Sequence, residues 1–164
     1  MPNWCSNSVV FSATEENLEK IRDLFAVIQQ KQEADDRYHV PSFAVSEGFM
    51  RDIVIEPKRI TFTTRSSPNI SLMAEIADYY HATFASRYME MGNGLYGETR
   101  YDYHTLMVID LDQEELRAAI CFDKEKNGYP LGELVFEYEG DLLDYMLEQK
   151  LEDKTAAEIY HRQR

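Results

Sequence analysis

The order of strand-like and helix-like segments between residues 5 and 91 constrains the fold of this chain more than any other feature. Residues 8–12, SVVFS, are a brief run of β-forming residues and predict a first strand. From Thr14 the apolar residues recur at helical spacing, which predicts a helix that ends near residues 34–36. The residues on its apolar face are Leu18, Ile21, Phe25 and Ile28. The chain therefore begins as a strand followed directly by an amphipathic helix.

A second strand and a second helix follow an irregular connection over residues 37–57, which includes a short strand at 52–55. Residues 59–64, RITFTT, alternate apolar and threonine side chains, the pattern of a strand covered on one face. In the following SSPN segment we expect Ser67 to cap the second helix and Pro68 to take its first position. The apolar face of this helix is formed by Leu72, Met73, Ile76 and Tyr80.

The segments after the second helix predict further strands. Residues 83–91 alternate as a strand, and residues 98–110, ETRYDYHTLMVID, extend as another. We expect the two to form a hairpin about Asn93-Gly94. Asp112 is expected to cap a short helix. The last predicted segments are that helix at 113–120, a turn in NGYPLG, a strand at 133–138 and a helix from Gly140.

The predicted order up to residue 91 is strand, helix, strand, strand, helix, strand, which is that of a ferredoxin-like split βαβ unit. The fold class is therefore α+β: an antiparallel sheet with helices on one face, plus a C-terminal strand and helical extension. We expect the extension to add strands to this sheet and one or two helices to its face. At 164 residues the chain fits a single domain, 1–164, with a core at about 1–101 and an extension at about 102–164.

Composition restricts the compartment and the partners. The formal net charge is −13, which disfavours binding to a phosphate backbone. We find neither a basic start followed by a long apolar stretch nor eighteen consecutive apolar residues, so we expect a cytoplasmic chain with no membrane association. Cys5 and Cys121 are expected to be reduced thiols packed as small apolar groups.

Four motifs that resemble catalytic or ligand sites fail when their context is considered. Residues 92–97 match GxGxxG, but a strand pattern follows them where a dinucleotide site needs a helix. Asp102 and His104 would share a strand face, yet no nucleophile accompanies them. Residues 110–115 lack the glycine of a calcium loop. The four histidines have no metal-ligand spacing. We therefore predict no catalytic residue, no cofactor and no metal.

The start MPNWCSN and the later run FTTRSSPN resemble the YubB-like family of plasmid- and phage-borne proteins with a ferredoxin-like domain. The resemblance covers about residues 1–101. Ser66 stands where the family has tryptophan, and Asn69 stands where it has a second proline. The resemblance implies a ferredoxin-like fold and a small accessory protein of a mobile genetic element. It supplies no catalytic residue.

Alternation along residues 3–12 predicts two distinct strand faces. One carries Cys5, Asn7, Val9 and Phe11, and the other carries Trp4, Ser6, Ser8 and Val10. A buried asparagine requires hydrogen-bond partners, so we expect Asn7 to tie a neighbouring strand or turn in place. The candidate binding surface comprises Trp4, Asn7, Thr64, Tyr96 and Tyr101.

Three hypotheses for function follow. The first is a non-catalytic accessory or binding protein of a mobile element, which acts on an unknown protein partner through its sheet face or its acidic end. The second is an acidic DNA mimic that inhibits a host DNA-binding enzyme. The third is an enzyme whose site is assembled only in space. Edge strands of such a sheet could also pair across a two-fold axis and give a homodimer.

Overall fold

A computed structural model describes residues 3–103, 105–119 and 121–162. The strands are β1 (Trp4–Ser12), β2 (Arg51–Ile55), β3 (Ile60–Arg65), β4 (Thr83–Glu90), β5 (Leu95–Asp102), β6 (Thr105–Asp110), β7 (Tyr129–Leu131) and β8 (Leu134–Phe136). The helices are α1 (Glu15–Asp35), α2 (Ile70–Tyr79), α3 (Gln113–Ala119) and α4 (Glu139–Arg162). None of the helices in these residues combines the length and the apolar character that crossing a membrane requires.

Six strands form one antiparallel sheet in the order β2-β3-β1-β4-β5-β6. The first four strands and the two helices between them have the split βαβ arrangement that the sequence predicted, with β1 between β3 and β4. The extension continues this sheet, because β5 pairs with β4 and β6 pairs with β5. The predicted α+β fold class is confirmed.

Helices α1 and α2 cover one face of the sheet, which we call the covered face. Along β1, Cys5, Asn7, Val9 and Phe11 are buried and alternate with more exposed residues, as predicted. Helix α1 begins where expected, because the backbone N–H of Asn17 donates to the Thr14 hydroxyl at 3.3 Å. The fully buried side chains of this core include Phe25, Ile21, Met50, Leu72, Met73 and Ile76.

The predicted start of α2 is wrong by two residues. The helix begins at Ile70, and Ser67 and Pro68 belong to the preceding turn instead of capping it. Ser66 has a φ of 65°, and the Ser67 carbonyl accepts the Thr64 hydroxyl at 2.7 Å. These residues form the turn that connects β3 to α2. Their preference for the first positions of a helix is therefore overridden by the geometry of this turn.

The predicted single strand over residues 98–110 is wrong as well. It breaks at Tyr103, which has a φ of 39°, and Asp102 pairs with Thr105 across a tight hairpin between β5 and β6. The alternation that placed Asp102 beside His104 therefore does not continue through this segment. His104 itself lies outside the described residues.

Most of the extension packs differently from the expectation. Asp112 caps α3 as predicted, since its Oδ1 accepts the backbone N–H groups of Glu114 and Glu115 at 2.8 Å. However, β8 pairs with β7 in a separate two-stranded sheet, so NGYPLG is part strand and the last strand does not join the main sheet. Helix α4 lies against β5 and β6 on the face opposite to α1 and α2, because those strands present apolar side chains there. These apolar side chains are Tyr96 and Met107, which are partly buried, and Ile109, which is buried.

At both edges of the main sheet, a side chain donates a hydrogen bond to a backbone carbonyl of the edge strand. At β2 the ladder has a bulge between Arg51 and Val54, and Gln29 Nε2 donates to the Ile53 carbonyl at 3.1 Å. Lys154 Nζ donates to the Val108 carbonyl of β6 at 2.9 Å. Pairing with a further strand would displace these contacts, which is a known way of protecting sheet edges. The homodimer expected from edge pairing stays a prediction.

Candidate binding face of the sheet

In the part of the chain that the structure describes, most of the sheet face opposite to α1 and α2 is uncovered from β2 to β4, and we call it the open face. It carries the second set of β1 side chains, Trp4, Ser6, Ser8 and Val10. Trp4 is 37% exposed and Val10 is 42% exposed, whereas Val9 on the covered face is fully buried. The period of two along β1 thus separates a core surface from a solvent-facing one.

Strand register aligns the open-face side chains into rows that run across the sheet. The first row holds Arg51, Thr63, Ser6, Met89 and Tyr96, which are successive cross-strand partners from β2 to β5. The second row holds Val54, Thr61, Ser8, Arg87 and Glu98. Side chains opposite each other in neighbouring strands lie close enough to contact a common ligand.

A groove of about 350 Å³ lies over these two rows, with hydroxyl groups along its floor. The Thr63 hydroxyl donates to Asp52 Oδ2 at 2.9 Å. The hydroxyls of Ser6, Ser8 and Thr61 have no hydrogen-bond partner among the residues that the structure describes. Because each hydroxyl both donates and accepts, the floor offers unused hydrogen-bonding groups to a bound molecule.

An ion network joins α4 to Arg87 and Tyr96, which line one side of the groove. The Arg87 guanidinium donates to Glu98 Oε2 and Asp144 Oδ1 at 2.9 Å, and to Glu148 Oε1 at 3.3 Å. The Tyr96 hydroxyl donates to Asp144 Oδ1 at 2.6 Å. Burial, followed by the hydrogen bond to Asp144, raises the pKa of Tyr96 above its usual value. The charge of Arg87 is thus already matched by three carboxylates.

At the end of the sheet where β1 begins, aromatic rings and two arginines form what we call the aromatic–arginine cluster: Trp4, Tyr38, Phe49, Arg51 and Arg65. Arg51 Cζ lies 5.6 Å from the centroid of the Trp4 ring, and Arg65 Cζ lies 5.1 Å from that of Phe49. The Phe49 ring is 5.5 Å from Trp4 and 3.8 Å from Tyr38. These distances suit cation–π contacts.

The predicted candidate surface divides between the two faces. Trp4 and Tyr96 lie on the open face, and the first belongs to the cluster while the second lines the groove. Asn7, Thr64 and Tyr101 face the helices instead and are 4%, 0% and 6% exposed. The five residues therefore do not share one exposed surface. Whether Trp4 and Tyr96 bind anything stays a prediction.

The buried members of that set hold strands together. Asn7 Nδ2 donates to Thr64 Oγ1 and to the Cys5 carbonyl, both at 2.9 Å, so it ties β1 to β3 as expected. The Tyr101 hydroxyl donates to Asp78 Oδ1 of α2 at 2.5 Å. Cys5 is fully buried, and burial raises the pKa of its thiol, which keeps it protonated and unreactive.

The glycine-rich segment forms the predicted hairpin between β4 and β5. Gly94 has a φ of 66° and its N–H donates to the Met91 carbonyl at 3.2 Å, after a 3₁₀ turn over Met91–Asn93. Gly97 has a different role, because a Cβ there would lie 2.6 Å from the Tyr88 hydroxyl. Because glycine has no Cβ, the Tyr88 hydroxyl has room to donate to Asp110 Oδ1 at 2.5 Å.

Sequence reasoning missed Arg51, its proximity to Arg65, and the hydroxyl floor of the groove. Alternation in RITFTT did indicate that Thr61 and Thr63 share a face, but only the register shows that Ser6 and Ser8 lie beside them. Arg51 and Arg65 come from different strands, and no local pattern joins them.

Residues 47–127 match a protein family described as a ferredoxin-like domain in Api92-like protein. The matched segment begins before β2 and ends after α3, so it contains five of the six strands of the main sheet, β2 to β6, together with α2 and α3. In this segment the chain is similar to that family, and the description agrees with the fold. No curated protein and no solved structure matches the chain.

Proposed function

We propose that this chain is a non-catalytic accessory or binding protein of a mobile genetic element, and that it binds a protein partner in the cytoplasm through the open face. The observation that carries the proposal is the groove, whose floor presents the unpaired hydroxyls of Ser6, Ser8 and Thr61. The resemblance of the MPNWCSN start to the YubB-like family of plasmid- and phage-borne proteins supports the mobile-element setting.

Two features support binding over catalysis. The thiol of Cys5 lies on the covered face, away from the groove, and is fully buried. The guanidinium of Arg87, which lines the groove, is neutralised by Glu98 and Asp144. A general base or an activated nucleophile needs a pKa suited to proton transfer, whereas ion pairs of this kind hold α4 against the sheet. An enzyme with a site assembled in space remains the less favoured alternative.

Site-specific photo-crosslinking tests the proposal. The full chain carries a benzophenone amino acid at Ser8, in the middle of the open face, and is expressed in its natural host cells. The matched control carries the same group at Glu19, an exposed position on α1 and thus on the other side of the sheet. We expect a discrete protein adduct from Ser8 and none from Glu19. Equal adducts from both positions, or none from Ser8, would contradict binding through the open face.

The acidic DNA mimic is the other candidate, and a third crosslinking position distinguishes it. From residue 110 onward the chain has 15 acids against 7 bases, a net charge of −8. Several of these acids are used internally, because Asp144 and Glu148 pair with Arg87 and Glu115 pairs with Lys150. That pairing lowers the number of free carboxylates available to imitate phosphates. Adducts to a DNA-binding enzyme from Asp153 of α4, without adducts from Ser8, would favour the mimic.

A further inference from the structure

We propose that the open face recognises an acidic, extended segment of its partner, and that Arg51 and Arg65 of the aromatic–arginine cluster bind the carboxylates of that segment. The inference rests on the proposed function, which supplies a protein partner at this face. It adds the chemical class of that partner and the two residues that recognise it.

Arg51 and Arg65 carry positive charge that the protein does not neutralise well. Arg65 has no carboxylate within 4.0 Å among the residues that the structure describes. The carboxylate that Arg51 approaches is that of Asp52, at 3.9 Å. By contrast, Arg87 and Arg100 of the same sheet pair with Glu98 at 2.9 and 2.6 Å. The first two guanidinium groups thus keep their N–H groups available for a bidentate contact with a carboxylate.

The rings beneath these guanidinium groups restrict their orientation. A planar guanidinium that lies over a ring face is partly ordered and keeps its N–H edge free to donate. Ordering before binding lowers the entropy that binding must remove. The Trp4 and Tyr38 side chains are 37% and 50% exposed, so they also offer apolar surface to the side chains that flank the bound carboxylates.

The cluster and the hydroxyl floor form a continuous track. Arg51 starts the first row, and Thr63 and Ser6 follow it directly across the sheet. A chain that leaves the cluster along this row lies over the groove, where backbone amides and carbonyls can bond with hydroxyls. An extended peptide suits such a track better than a compact ligand.

Charge decides between an acidic peptide and a nucleic acid as occupant. The chain has a net charge of −13, and a strand with one phosphate per nucleotide would meet that field along its whole length. A segment with two or three carboxylates needs complementarity only at the cluster, because more distant charges are screened over roughly 8 Å at physiological ionic strength. Arg65, which has no carboxylate within 4.0 Å in the described residues, and Arg51, whose contact with Asp52 is long at 3.9 Å, satisfy this local requirement.

Selection from a displayed library of random twelve-residue peptides on the full chain tests the inference. We expect the enriched peptides to contain at least two acidic residues and to lose affinity about tenfold or more in Arg51→Gln and in Arg65→Gln. The matched control is the double variant Arg117→Gln/Lys124→Gln, which removes two exposed charges far along the chain and should bind as the wild type does. Arg51→Lys should retain part of the affinity, since it keeps the charge but loses the planar donor pair.

Neutral or basic peptides, acidic peptides that bind the arginine variants unchanged, or no enriched peptide at all would overturn the inference. A ten-nucleotide poly-dT strand that binds in an Arg51-dependent and Arg65-dependent manner, more tightly than the peptides, would also overturn it in favour of a nucleic acid. Circular dichroism of each variant checks whether the fold is retained. The outcome is separable from the proposed function, because an adduct from Ser8 to a partner segment without acidic residues would contradict the inference alone.

Discussion

The covered face and the open face of the sheet are built from the same strands but have opposite properties. Along β1, Val9 is fully buried under the helices, while its neighbour Val10 is 42% exposed on the other side. The covered face is filled by apolar side chains of α1 and α2, and the open face presents hydroxyls, a groove and two arginines. One face stabilises the fold, whereas the other stays accessible to solvent.

The polar groups of the two faces also differ in whether they are hydrogen-bonded within the protein. On the covered face the Asn7 amide is bonded to Thr64, and the Tyr88 hydroxyl is bonded to Asp110. On the open face the hydroxyls of Ser6 and Ser8 have no partner within the described part of the chain. Burial makes an unsatisfied polar group costly, whereas an exposed one can bond with water until a ligand arrives. The four predictions below test this contrast, from the largest effect to the smallest.

The largest effect is expected from an apolar residue of the covered face. Phe62→Ala should lower the free energy of unfolding by about 3–5 kcal/mol, because the side chain is 2% exposed and packs against Phe25. Thr61→Ala, one position away on the open face, should change it by less than about 1 kcal/mol. Urea denaturation of both variants measures the difference. Equal losses would show that the open face is as tightly packed as the covered one.

A buried polar residue of the covered face should have the next largest effect. Asn7→Ala removes the donor to Thr64 Oγ1 and to the Cys5 carbonyl, so the free energy of unfolding should fall by about 1–3 kcal/mol. A double-mutant cycle with Thr64→Val should show a coupling energy above about 0.5 kcal/mol. Additive losses would mean that the Asn7–Thr64 contact does not tie the strands.

Alkaline pH should destabilise the covered face through Tyr88. Burial, and next the hydrogen bond to Asp110, raise the pKa of Tyr88 above the usual value of about 10. The stabilisation is therefore complete below about pH 10 and is lost as pH rises further, by up to roughly 1.4 kcal/mol per pH unit. Urea midpoints between pH 8 and 11 should fall less steeply in Tyr88→Phe than in the wild type. Tyr103→Phe, at an exposed turn, is the control, and an unchanged slope in Tyr88→Phe would contradict this origin.

The smallest effect on stability is expected from the open-face hydroxyls. Ser6→Ala and Ser8→Ala should each change the free energy of unfolding by no more than about 0.5 kcal/mol. In the double variant Ser6→Ala/Ser8→Ala, peptide affinity or partner crosslinking from a neighbouring position such as Thr61 should fall several-fold, because the groove floor loses two donors. A stability loss above about 1 kcal/mol with unchanged binding would assign these hydroxyls to the fold instead.

Local periodicity was sufficient for much of the fold. The helix after Thr14, the faces of β1 and the hairpin about Gly94 were all predicted from spacing and turn chemistry. The start of α2 and the break at Tyr103 were not, because both depend on how the chain must turn to reach its next partner. A short strand such as β8 has too few residues to indicate which sheet it joins.

The sequence by itself determined which side chains of each strand share a face, since the period of two and the period of a helix are local properties of the backbone. Only the tertiary structure decided which face α4 covers, how the rows align across the strands, and that Arg51 and Arg65 meet around Trp4 and Phe49. The physical reason is that register and helix placement are set by packing between segments far apart in the chain, and the open face is made from such long-range neighbours.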